Sequence, residues 1–341
     1  MDTADTTDQR VRQLSIGKMR GLQQISNAHG FFTMTALDHR GSMQRMIAPR
    51  SPEAVTTNQL TRYKRDLTRA LAPVSSAVLI DPIYGAAQVI AGGDLPRDTG
   101  LLVGIEATGY NDAGGARLTE YLQGWSVEKI KRMGASAAKI LLYYRPDLIQ
   151  AAERQRALLM RFVEDCQRAD LPALVEPLCY PALPGDEQAE LYAQRKPGIV
   201  AQTARELTQL GVDVLKAEFP SDAHLERDEA RMLEACQALE DASSAPWILL
   251  SGGVGFEQFA AQVRVACQAG ASGFLAGRAV WQEAMMLPEV AERQRWLGTV
   301  AVERVVRLTD IVGEFGRPWW RKWASTPEQL TAVTEDWYTQ F

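Results

Sequence analysis

Two lysines lie inside apolar runs that otherwise carry little charge. Lys216 follows the apolar run of GVDVLKAEFP (211–220), and Lys139 sits in AAKILLYY (137–144). A lysine within an apolar strand costs free energy unless its ammonium has a partner or a task. One reading of Lys216 is a strand-end lysine whose head snorkels to water. The other is an amine nucleophile, kept uncharged by burial and a cationic neighbour, that bonds to a carbonyl carbon as a Schiff base. Lys139, Leu141 and Tyr143 alternate, so they share one face of a strand. If that face lines the same interior as Lys216, a second ammonium and a dry surrounding both push Lys216 toward the range of roughly 7–8 useful for an amine nucleophile. The competing reading makes Lys139 a strut, paired with a strand-end carboxylate such as Asp38.

Glu176 closes another apolar run, PALVEP (172–177). An isolated buried carboxylate titrates above its ordinary value, which suits proton transfer. Held by Lys139 or Arg278 instead, it has only a structural part. Ser251, Gly252 and Gly253 end the run WILLSGG (247–253), and Gly277 with Arg278 ends SGFLAGR (272–278). Glycines let backbone N–H groups approach an anion, helix N-termini favour negative charge, and an arginine adds a forked contact. Each glycine pair alone reads as a tight turn. On successive strands the two make a phosphate seat the better reading.

Chemistry of this kind needs a scaffold that brings distant strand ends together. Apolar runs of strand length recur at 31–38, 76–81, 101–106, 137–144, 172–177, about 212–215, 247–253 and 272–278. Helical patterns separate them at 54–72, 81–93, 125–134, 147–169, 199–210, 223–241 and 256–269, with a glycine-rich loop at 109–115 and a long polar excursion before 198. Further helices are expected over much of 279–315 and over 327–341. About eight strands alternating with helices predict a (β/α)8 TIM barrel with extra C-terminal helices, one domain over 16–341 behind a flexible arm at 1–15. A doubly wound open sheet is the alternative, and the absence of G-x-G-x-x-G after the first strand weakens its dinucleotide-binding form. In a barrel of this kind the C-terminal strand ends carry the site. They supply Asp38, His39 and Arg40, then Asp81, Glu106, Lys139, Glu176, Lys216 with Glu218, Ser251 and Arg278.

The totals narrow the classes further. With 341 residues, 46% of them hydrophobic, the chain can bury a large core. A net charge of −5 argues against a nucleic-acid surface, and no run is long and apolar enough for a membrane span. Cys166, Cys179, Cys236 and Cys267 have neither zinc nor redox spacing, and His29, His39 and His224 form no metal motif, so neither metal nor cofactor is expected. The polar start MDTADTTDQR lacks a signal-peptide pattern, which implies a cytoplasmic protein. A small phosphate-bearing molecule is the expected ligand of the Ser251–Arg278 seat, and further copies of the chain are expected as partners. In RPWWRKW (317–323) the indoles are expected to pack on the barrel while the cations stay in water.

The blocks ALDHRG (36–41), DPIYG (81–85), EATGY (106–110), WSVEKIK (125–131), AAKILLYY (137–144), GVDVLKAEFP (211–220) and LAGRAVW (275–281) resemble the tagatose-1,6-bisphosphate aldolase family of class I aldolases, from about residue 25 to about 285. PWILLSGGV (246–254) and AGASGFLAGRAVW (269–281) are similar to a related branch that cleaves sulfofructose 1-phosphate. The resemblance implies Lys216 as the Schiff-base lysine, Glu176 as the acid/base carboxylate, and Asp38 and Lys139 as supporting polar residues. It implies a phosphate held by Ser251, Gly252, Gly253, Gly277 and Arg278, with His39 and Arg40 on the substrate. His39 and Ala107 replace a glutamine and a lysine of the family pattern, at positions that the resemblance assigns to the distal end of the sugar. A barrel isomerase using Glu176 as base, or a non-catalytic sugar-phosphate sensor, would use the same residues.

Overall fold

The computed structural model describes residues 12–183, 185–222 and 225–340, so His224 lies outside the described residues. In chain order the strands are β1 (Phe32–Leu37), β2 (Ala77–Ile80), β3 (Gly100–Gly104), β4 (Asn111–Ala113), β5 (Ala116–Leu118), β6 (Ala137–Tyr143), β7 (Ala173–Leu178), β8 (Val214–Ala217), β9 (Trp247–Leu250) and β10 (Gly273–Ala276). Eight of them close a parallel barrel in the order β1-β10-β9-β8-β7-β6-β3-β2, while β4 and β5 pair as a separate antiparallel hairpin. Helices cover the outside, as an all-parallel sheet requires.

Alternation along each strand sorts the side chains. Leu37, Val78, Val103, Ile140, Val175, Leu215 and Phe274 face the helices in one apolar cluster. Phe32, Met34, Leu79, Leu102, Ala137, Leu174, Val214, Ile248 and Leu275 fill the interior in a second. Leu174 is in register with Val214, so Glu176 and Lys216, two residues further on, point inward side by side above that apolar floor. Lys139 follows inward-facing Ala137 in the same way.

The floor is closed from below by Trp319, which is buried against Leu22 and Leu330 in the interior cluster. The indoles of 317–323 thus pack on the barrel as expected. Their neighbouring cations do not simply stay in water: Arg317 and Lys322 lie 2.7 and 2.8 Å from Glu240 Oε1. Similarly, the arm is tied down from Arg12 onward. Arg12 pairs with Asp213 at 2.6 Å, and the Leu14 N–H donates to the Leu330 carbonyl at 2.7 Å. Residues 1–11 lie outside the described residues.

Three helical expectations change, the first at 223–241, where the described residues become helical only at Glu229 and stay so to Ala242. The helix before β8 begins at Ala189, not 199, and runs through Pro197 to Thr208; proline usually ends a helix, which is why the pattern suggested a later start. Over 327–341 the described residues hold only the turns Pro327–Leu330 and Trp337–Gln340. The β-branched Thr331, Val333 and Thr334 between them disfavour continuous helix.

Candidate active site

The C-terminal strand ends enclose a cavity of about 640 Å³ whose lining includes Asp38, His39, Arg40, Glu106, Glu176, Lys216, Ser251, Gly252, Gly277 and Arg278. Its centre is an ion network. Glu176 Oε1 lies 2.8 Å from Lys216 Nζ, and Glu176 Oε2 lies 2.8 Å from Lys139 Nζ. Lys139 also reaches Glu106 Oε1 at 2.7 Å and Asp38 Oδ2 at 3.1 Å. Three carboxylates therefore converge on one ammonium, and one of them is shared with Lys216.

This geometry alters the expected electrostatics. Burial opposes the charge on Lys139, but Glu106, Glu176 and Asp38 outweigh it and hold the amine well above the ordinary lysine value. Burial likewise opposes the charge on Glu176, yet Lys139 and Lys216 pull the carboxyl below its usual range. Glu176 is thus not the isolated, raised carboxylate expected from its apolar strand; it is a paired anion wedged between two cations. Asp38 is lowered too, its burial outweighed by Lys139 and then Lys216. Lys139 spends its charge on three acids, so it does not act on Lys216 as a lone second ammonium would. The strut geometry suggested for Lys139 is present, and it also fixes the carboxylate that touches Lys216.

His39 is held differently. Burial, opposed by Asp38 and aided by Arg278, Lys64 and Lys216, brings its imidazole down to about 4, so the ring is neutral near pH 7. Its ring centroid lies 5.0 Å from that of Trp281 with the two planes nearly perpendicular, and a Cβ on Gly277 would fall 2.7 Å from its Cε1. The ring therefore lies beside the loop after β10, next to the expected phosphate seat. Arg40 turns the other way, its Nη2 donating to the Glu106 carbonyl at 2.8 Å. The turn carrying both is pinned from below by Lys64, which donates to the carbonyls of Leu37 and His39 at 2.5 and 2.7 Å and pairs with Asp81 at 2.7 Å.

Around the expected phosphate seat, Ser251 is buried, and its Oγ accepts the Gly277 N–H at 3.4 Å. Gly252 and Gly253 both have positive φ, 56° and 85°. Gly253 stands behind the cavity lining. A Cβ there would fall 2.9 Å from Arg278 Nη2, so its bare backbone is what lets the guanidinium lie flat. Among the described residues no carboxylate lies within 4 Å of that guanidinium.

Residue reading missed several members. Glu106 stood at a strand end without an assigned role, yet it is the shortest contact of Lys139. The loop at 109–115 is in fact the start of the β4–β5 hairpin, which brings Arg117 and Tyr110 to the cavity. The signal was present: Gly114 and Gly115, with φ of 69° and 89°, form the two-residue left-handed turn that a tight hairpin uses. Among the described residues no group of three or more His, Cys, Asp or Glu is placed to hold a metal ion, and no helix is long and apolar enough to cross a membrane.

A family model described as DeoC/LacD family aldolase matches residues 32–283. Tagatose 1,6-diphosphate aldolase from Listeria monocytogenes serotype 4b is 33% identical over 336 residues, covering 92% of this chain and 96% of that protein. Tagatose 1,6-diphosphate aldolase 1 from Enterococcus faecalis is 32% identical over 89% of this chain and 97% of its own. Among solved structures, the fructose-bisphosphate aldolase of Plasmodium falciparum superposes with a TM-score of 0.66 at 16% identity, over 90% of this chain and 98% of that one. An archaeal fructose-1,6-bisphosphate aldolase gives 0.54 at 22% identity, over 84% and 98%. Those two similarities speak for the fold.

Proposed function

The chain belongs to the DeoC/LacD aldolase family and is an aldehyde-lyase, and from that premise we propose that it cleaves tagatose 1,6-bisphosphate reversibly to dihydroxyacetone phosphate and glyceraldehyde 3-phosphate through a Schiff base on Lys216. The observation that carries this reading is Glu176 lying 2.8 Å from Lys216 Nζ while its second oxygen is fixed by Lys139. A nucleophilic amine needs a base within hydrogen-bond reach, and that base needs a third group to orient it. The substrate named is the one carried in the names of the relatives.

The steps follow from this arrangement. Lys216 passes a proton to Glu176, and the free amine adds to the C2 ketone. The added nitrogen passes one proton to the new alkoxide, Glu176 returns the other to the resulting hydroxyl, water leaves, and a protonated iminium remains. Glu176, again a carboxylate, takes the proton of the C4 hydroxyl. The C3–C4 bond breaks, its electron pair moves into the iminium to give an enamine, and the aldehyde departs. Protonation at C3 and hydrolysis release dihydroxyacetone phosphate and restore the amine. Lys139 stays protonated throughout. It keeps Glu176 poised as an anion and offers positive charge beside the C4 oxygen as it develops. Ser251, Gly252, Gly277 and Arg278 hold the C1 phosphate, so binding energy remote from the reacting bonds positions C2 over the amine.

Turnover of tagatose 1,6-bisphosphate, fructose 1,6-bisphosphate and 6-deoxy-6-sulfofructose 1-phosphate, measured side by side, tests the substrate. The highest kcat/KM is expected for the tagatose ester. A preference of about tenfold or more for the sulfonate would move the assignment to the sulfofructose branch.

A further inference from the structure

Resting on the Schiff-base reading above, we propose that Arg117, carried by the β4–β5 hairpin, is the specificity-determining contact for a phosphate monoester on the sugar carbon farthest from the reacting ketone. The order of the strands fixes which walls of the barrel face each other. In the ring β1-β10-β9-β8-β7-β6-β3-β2, β9 stands four places from β3, and β10 four places from β6. In a barrel of eight strands these are opposite walls. Ser251 and Gly252 follow β9, and Arg278 follows β10. The hairpin lies in the connection between β3 and β6. Lys216 and Glu176, on β8 and β7, occupy the wall between. A sugar with its C1 phosphate at Arg278 and its ketone over Lys216 must therefore send its far end toward the hairpin.

Arg117 is packed among aromatic rings. Its guanidinium carbon lies 4.8 Å from the ring of Tyr110, 4.7 Å from Tyr180 and 5.8 Å from Tyr143. Its backbone N–H donates to the Tyr180 hydroxyl at 3.0 Å. The rings hold the planar group in place and leave its N–H edge for a ligand. Among the described residues no carboxylate comes within 4 Å of it, although it borders a cavity containing Asp38, Glu106 and Glu176. All three of those acids are drawn to Lys139. Arg40 reaches the same wall, and its Nη1 is buried with no hydrogen-bond partner among the described residues. Two guanidiniums without an acid at one end of a cavity suit a dianion; a bare hydroxyl would leave most of their N–H groups unanswered.

The test compares the wild type with Arg117→Ala and Arg117→Lys, using tagatose 1,6-bisphosphate and tagatose 1-phosphate. For Arg117→Ala, KM for the bisphosphate is expected to rise about 10- to 100-fold, with a smaller rise for the lysine variant; the 1-phosphate should change by less than about twofold. Equal losses on both substrates, or no loss on the bisphosphate, overturn the inference. A loss confined to 6-deoxy-6-sulfofructose 1-phosphate overturns the assignment to phosphate. Borohydride trapping of dihydroxyacetone phosphate, which has no distal end, should be the same in all three proteins. If the wild type traps nothing, the Schiff-base reading fails and takes this inference with it; intact trapping with equal losses removes the inference alone.

Discussion

Glu176 divides its two oxygens between two lysines, and that division sets the charge state of the whole centre. A carboxylate so placed is available as an unprotonated base near pH 7 because both neighbours favour its anion; the same pairing makes it a weak base, so it takes a proton only where the donor's own acidity rises during the reaction. The same centre gives stability a pH signature. His39 titrates near 4 in the folded chain against an ordinary 6.5. As pH falls below 6.5 the unfolded chain binds a proton that the folded chain refuses until about 4, so stability declines across that window. The lowered Asp38 and Glu176 carboxylates act further down, since their contribution is present above their ordinary range and is lost as pH falls through their folded values. The raised Lys139 contributes below 10.5 and loses its share only at higher pH. His39→Gln should therefore lose less unfolding free energy than the wild type between pH 7 and pH 5, by about 1–2 kcal/mol in urea titrations. Parallel losses in the two proteins would show that the histidine is not held neutral.

At the scale of elements, the barrel strands supply rigid positions and the hairpin supplies an adjustable one. Gly114 and Gly115 have open space around them, so only their positive φ constrains what can replace them. Gly115→Val should cost about 1–2 kcal/mol of local strain. The barrel strands do not pair with the hairpin, so thermal unfolding should shift little while KM for the bisphosphate rises. A variant with unchanged kinetics would show that the hairpin does not shape the site. The hairpin is also where the sequence was hardest to read. Its strands are three residues each, and β4 is exposed, so no apolar alternation announces them; the Gly-Gly pair was the one clue, and it read equally as a loop. The eight barrel strands were readable because burial on both faces makes each a nearly unbroken apolar run. Lys139, Glu176 and Lys216 were readable as charges interrupting those runs. Their pairing was not, because it depends on register between strands more than 30 residues apart.

Across the whole molecule, stability and chemistry occupy opposite ends of one barrel. Trp319, Leu22 and Leu330 close the end where the strands begin, whereas the ion network opens where they finish. Trp319→Ala should cost about 3–5 kcal/mol in denaturant titrations, because it leaves a large void under the interior layer. The folded fraction should retain kcat/KM within about twofold, as expected of a change at the N-terminal face of such a barrel. A loss of turnover without a loss of stability would mean that the two ends are coupled. The four free cysteines fit this division, since Cys166, Cys236 and Cys267 are buried in packing positions and only Cys179 borders the cavity.

The proposed reaction turns on a covalent bond between one amine and a keto carbon, and reductive trapping observes that bond directly. The wild-type chain incubated with dihydroxyacetone phosphate and sodium borohydride should gain the mass of one reduced adduct. Peptide mapping should place it on Lys216, with Lys139 unmodified and Lys216→Met unlabelled. An active enzyme that yields no adduct, or an adduct on any other lysine, would contradict the assignment.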